Sequence, residues 1–74
     1  DVAVAPHCPL GPLALGACLQ LAGSTPNVVI QEMSLGIHYN QSHDLLSYCA
    51  EPEVLRPVDG FLPIPEGPGL GIEI

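Results

Sequence analysis

The apolar positions at the start of the chain form a strand, a helix and a second strand. Val2-Ala3-Val4-Ala5 is continuous rather than alternating, the pattern of a short strand covered on both faces. Pro6 ends it. Pro9, Gly11 and Pro12 then impose a tight turn, and Pro12 suits the first helical position, where a missing N–H is not needed. Leu13, Ala14, Leu15, Ala17, Cys18, Leu19 and Leu21 follow, with Gln20 the only strongly polar residue among them. This predicts a helix apolar on nearly every face, sandwiched between layers. Gly23 is its expected stop. Ser24-Thr25-Pro26-Asn27 reads as a turn, and Val28 to Gln31 as a second strand rich in β-branched residues. A strand–helix–strand unit of this length implies parallel strands and a right-handed crossover. Two parallel strands predict further neighbours, because such sheets have both faces covered.

After Glu32 the character changes. Residues 34–41 are loop-like, and residues 42–49 suit a short helix with Ser42 as its cap. From Pro52 onward Pro and Gly recur, predicting an extended tail that wraps over a surface, with Phe61-Leu62 and Leu70-Gly71-Ile72 as edge strands. The run Gly67-Pro68-Gly69-Leu70-Gly71 contains a proline and precedes no helix, so it reads as a turn-forming segment rather than an anion site. No internal repeat is seen.

Seventy-four residues allow one small domain, which would bury only about 60% of its extended-chain surface. Folds of this size usually need a staple. The three cysteines, Cys8, Cys18 and Cys49, are odd in number and widely spaced, so reduced thiols in a cytoplasmic setting are expected, with Cys18 as plain packing. Eight acidic residues stand against one basic residue, Arg56. That balance disfavours nucleic acid and anionic membrane as partners. The longest apolar stretch, Leu13 to Ala22, is half of the ~20 residues a membrane span requires. Yet 47% of residues are hydrophobic and 12% charged. The chain is too apolar for a disordered acidic tail and too poor in charge for an isolated soluble module. It begins at Asp1 at the mouth of a strand and stops at Ile74 within an apolar alternation. The expectation is a piece of a larger protein's interior, completed by a missing N-terminal part. Left uncovered, the apolar helix and strand edges would favour self-association.

His7 lies on the turn just past the first strand, where a parallel-sheet enzyme projects a general base. The plainer alternative is a histidine bonded to turn backbone. A catalytic imidazole needs a carboxylate on its other nitrogen, and no residue is obviously placed for that in the linear sequence. Glu32 ends an otherwise apolar strand and is either a substrate-side hydrogen-bonding group or a rim residue in water. Topology puts His7 and Glu32 at the same end of neighbouring parallel strands, which favours the site reading for both. His38 and His43, with Glu32 or Cys49, match no zinc-ligand spacing and read as surface or packing histidines.

Ala5-Pro6-His7-Cys8-Pro9-Leu10-Gly11-Pro12, Leu13-Ala14-Leu15, Cys18-Leu19, Gln31-Glu32, Gly36-Ile37-His38-Tyr39-Asn40 and Pro68-Gly69-Leu70-Gly71-Ile72-Glu73-Ile74 together resemble the C-terminal part of the D-galactonate dehydratase family, in the mandelate racemase branch of the enolase superfamily. The resemblance covers nearly the whole chain. It implies an α/β fold: residues 1–50 as the last two strands and helices of a (β/α) TIM-type barrel, and residues 51–74 as a tail returning to an α+β capping domain. It implies a hydro-lyase that turns a sugar acid into a 2-keto-3-deoxy acid through an Mg2+-stabilised enediolate, and a homo-oligomer. His7 matches the base of the seventh strand, and Glu32 the eighth-strand glutamate on the substrate carboxylate side. By the same resemblance the three carboxylate metal ligands, the acid for the leaving hydroxyl and the aspartate that pairs with the histidine all lie upstream. The chain alone would then neither hold Mg2+ nor turn over. Two other readings stay open: another acid-sugar dehydratase or racemase of the branch, or a non-catalytic, self-associating piece.

Overall fold

A computed structural model describes residues 2–35 and 45–74. The loop and helix start expected over residues 36–44, including Ser42, His38 and His43, lie outside the described residues.

The first extended segment and the segment after the helix pair in parallel through one bridge, Val4 with Val28. The Val4 N–H donates to the Asn27 carbonyl at 2.8 Å, and the Val29 N–H to the Val4 carbonyl at 3.0 Å. Asn27 reinforces the register, its side-chain amide donating to the Val2 carbonyl at 2.6 Å. In a regular parallel ladder residue 6 would donate next, to Val29. Residue 6 is proline and has no N–H. The pairing slips by one residue: the Glu32 N–H, not that of Gln31, reaches the Pro6 carbonyl, at 3.4 Å. Two strands were expected; a single bridge is found, and Pro6 is the reason.

Between the paired segments runs α1, Pro12–Ser24. Gly11 precedes it without a side-chain cap, and Pro12 takes the first helical position as expected. The expected stop at Gly23 is corrected. Gly23 is helical, and the chain leaves the helix at Thr25, whose N–H donates to the Ala22 carbonyl. The Ser24 hydroxyl bonds back to the carbonyls of Leu21 and Gln20, and Pro26 then bars continuation. Gly23 has a packing reason instead, since a Cβ there would lie 3.3 Å from Ile64 of the tail.

The sandwiched helix is found on one face only. Leu15, Gly16 and Leu19 are buried, whereas Leu13, Ala17 and Leu21, one stripe at four-residue spacing, are exposed. The core gathers Cys8, Leu15, Leu19, Leu45, Leu46 and Leu55. The last three come from two 3₁₀ turns, Leu45–Tyr48 and Pro52–Leu55. Among the described residues no helix is long and apolar enough to cross a membrane.

The tail straps across α1. The Gln20 side-chain amide donates to the carbonyls of Pro65 at 2.9 Å and Leu70 at 3.2 Å, which explains the one polar residue in an apolar helix. The expected strand at Phe61 appears as a tight hairpin: Val58 and Phe61 exchange bonds of 2.7 and 2.9 Å around Asp59 and Gly60, both at positive φ. The expected strand at Leu70-Gly71-Ile72 is absent. That stretch is a turn, with the Gly71 N–H on the Pro68 carbonyl. Gly71 has a φ of 79°, and a Cβ there would sit 2.5 Å from the Pro65 Cβ and 2.9 Å from its carbonyl carbon. Gly71→Ala is therefore expected to destabilise the fold by about 1–3 kcal/mol. A urea midpoint equal to that of the parent would show that the turn does not need glycine.

Candidate functional site

The two paired segments carry His7 and Glu32 to the same end, as their topology requires. Pro6 closes the first segment and turns the chain, so the His7 side chain projects into solvent with 84% of its area exposed. Glu32 follows an extended apolar segment, and its side chain is 47% exposed. The structure brings the two into contact, with His7 Nδ1 3.0 Å from Glu32 Oε1. The Cys8 backbone N–H donates to the same oxygen at 2.8 Å. The orienting carboxylate that linear spacing did not reveal is thus Glu32 itself.

Cys8 was not singled out in the sequence as part of a site, and its contribution is made through its backbone. In an unbroken ladder its N–H would serve the Gln31 carbonyl. The Pro6 break frees that donor, and the slipped Glu32 takes it. The side chain of Cys8 is 1% exposed in the core, which fixes the amide in place. Burial pushes the Cys8 thiol up from its ordinary range, with neighbouring Cys18 and the Glu32 charge adding to the rise against a lowering bond from the Leu10 backbone. A thiol held protonated in this way is a poor nucleophile, so His7 stands beside no competing reactive sulfur. Cys8, Cys18 and Cys49 are all free thiols, and burial raises Cys49 as well.

Neighbouring polar groups complete the description. The buried Ser34 hydroxyl donates to the Leu10 carbonyl at 3.3 Å, tying the second segment to the turn after His7. The Gln31 amide donates to the Glu32 carbonyl at 2.8 Å, while its Oε1 is buried without a partner among the described residues. An orphaned acceptor of this kind costs about 1–3 kcal/mol until a donor meets it. The lone cation Arg56 pairs with Glu53 at 2.9 Å on the surface.

An imidazole fixed at one nitrogen and open at the other can accept a proton there. A carboxylate with one oxygen engaged can use the other on a bound hydroxyl or carboxyl group. Among the described residues no three His, Cys, Asp or Glu side chains gather where a metal ion could be held. Glu32 already spends Oε1 on His7 and Cys8. The residues present do not fit a magnesium site, and no step of the chemistry is routed through one here.

The chain matches the enolase C-terminal domain-like family over residues 1–74. A D-galactonate dehydratase of Xanthomonas campestris pv. campestris (strain B100) is 53% identical over 74 residues, covering 100% of this chain and 19% of that protein. Those of Xanthomonas axonopodis pv. citri (strain 306) and Variovorax paradoxus (strain S110) are 51% identical over the same 100% and 19%. The chain thus spans about a fifth of the length of the curated relatives it matches. With the whole of its length matched, and with parallel pairing that delivers a histidine and a carboxylate to one end, the chain belongs to the enolase C-terminal domain-like family, whose fold is a β/α barrel.

Proposed function

We propose that this chain supplies the base-bearing side of a sugar-acid dehydratase, the two closing strands of its barrel, and a tail that runs on to a capping domain. The observation that carries the reading is the contact of His7 with Glu32 at one end of the paired segments, in a chain whose relatives are named D-galactonate dehydratases. His7 takes the proton next to the substrate carboxylate, and the C–H electrons remain on the substrate as an enediolate. Glu32 hydrogen-bonds the carboxylate side of that intermediate. Loss of the neighbouring hydroxyl as water leaves an enol, which tautomerises to the 2-keto-3-deoxy acid. Donors poised where negative charge develops are what such a step needs. The acid for the leaving hydroxyl and the Mg2+ ligands belong upstream of this chain.

Exposed apolar groups support the same reading. Val29 and Ile30 are 68% and 67% exposed, and Phe61 79%. Upstream strands, a cap and further subunits of a cytoplasmic homo-oligomer would cover such groups and bring a donor to Gln31. The test is a panel of sugar acids on the full-length protein, scored by 2-keto acid formation. D-galactonate is expected to turn over and to yield 2-dehydro-3-deoxy-D-galactonate, while the 74-residue chain alone is expected to be inactive. A full-length protein inert toward all sugar acids would overturn the reading. Turnover by the 74-residue chain would overturn the division of the site.

A further inference from the structure

We propose that Glu32 is a positioning residue for His7: its Oε1, pinned by the Cys8 backbone, holds the imidazole as the Nδ1–H tautomer and so presents Nε2 as the proton acceptor. The catalytic consequence rests on the function proposed above, whereas the tautomer is a property of this chain's own residues.

His7 is 84% exposed, so packing does little to orient its ring. What holds it is one polar contact, Nδ1 to Glu32 Oε1 at 3.0 Å. An ionised carboxylate oxygen only accepts, so the nitrogen facing it must carry the proton. The second ring nitrogen is then the one with a lone pair. Glu32 in turn is not free to swing, because Oε1 also accepts from the Cys8 N–H at 2.8 Å. Cys8 is 1% exposed and part of the core. Orientation therefore passes from the core to the Cys8 amide, to Glu32, to His7. Among the described residues no contact falls on Glu32 Oε2, which leaves that oxygen for substrate. The two roles of Glu32 use different oxygens.

The proton count closes without Glu32 titrating. When the substrate C–H breaks, its electron pair stays on the substrate and the proton goes to His7 Nε2. The resulting imidazolium keeps its Nδ1–H on Glu32, and the fixed carboxylate stabilises that positive charge. The family resemblance puts an orienting carboxylate upstream of this chain; the structure puts one inside it.

The test is nitrogen NMR on the full-length protein labelled with 15N-histidine, at an alkaline pH where imidazole is neutral. His7 signals are assigned by their loss in His7→Gln. The parent is expected to show the Nδ1–H tautomer. Glu32→Gln should keep it, because the amide oxygen still accepts, and Glu32→Ala should shift His7 toward the Nε2–H form of free imidazole. An Nε2–H tautomer in the parent would overturn the proposal without any variant, and so would an unchanged tautomer in a folded Glu32→Ala protein. Normal turnover by His7→Asn alongside the expected tautomer shift would remove the base role and leave the positioning contact standing. Loss of turnover in His7→Asn without any tautomer response would do the reverse.

Discussion

Full-length protein carrying His7→Asn should lose turnover of its sugar acid by about 10²- to 10⁴-fold, the range that a positioned general base contributes. The loss should fall on kcat, with KM little changed, because proton abstraction is felt only in the transition state. His7 is exposed and outside the core, so the folded state should be untouched. Far-UV circular dichroism of the variant should overlay that of the parent. Exchange of the substrate's carboxylate-adjacent proton with deuterium from solvent should disappear together with turnover. Near-normal kcat would sink the base assignment, and exchange that survives without dehydration would move the defect from proton abstraction to loss of the hydroxyl.

The largest structural effect is expected at Leu55. Its side chain is fully enclosed, at 0% exposure, and joins the second 3₁₀ turn to the core that also holds Leu15 and Leu19 of α1. Leu55→Ala removes three carbons and leaves a cavity, which costs about 2–5 kcal/mol. A chain of 74 residues has a total stability of about 4–11 kcal/mol at the usual per-residue values, so this one change removes a large share of it. A fall in the urea midpoint with an unchanged slope is the expected result. A shift below about 0.5 kcal/mol would mean that the 3₁₀ turn does not pack as described.

Some of this architecture is legible in the sequence, and particular residues show how far. The start of α1 is readable because Gly11-Pro12 combines a tight turn with a proline fit for the first helical turn. Its end is not, because Gly23 looks like a stop, while the packing of Ile64, 41 positions later, is what requires a small residue there. The placement of His7 and Glu32 at one end follows from parallel topology alone. Their direct contact does not, since it depends on a one-residue slip in pairing that no periodicity records. The Pro6 signal was present and was read only as the end of a strand. Asp59-Gly60 is a strong two-residue turn signal, yet Phe61 was read as strand without it. The exposed stripe of Leu13, Ala17 and Leu21 is of a different kind. Composition shows that the helix is apolar all round, but which face the described residues cover is a property of the tail's path.

Pro6 sets where structure gives way to chemistry. A regular sheet directs every amide toward a neighbouring chain, so nothing on its backbone is available to a ligand. Removing one donor by a ring closure misaligns the next pairing and releases a second amide, that of Cys8, at the sheet's mouth. Restoring the missing donor with Pro6→Val would allow the ladder to grow by two residues and draw the Cys8 amide back to Gln31. The sheet would gain order at the cost of the carboxylate's anchor. A more regular protein would then be a worse enzyme, with the defect originating in a side chain that touches no substrate.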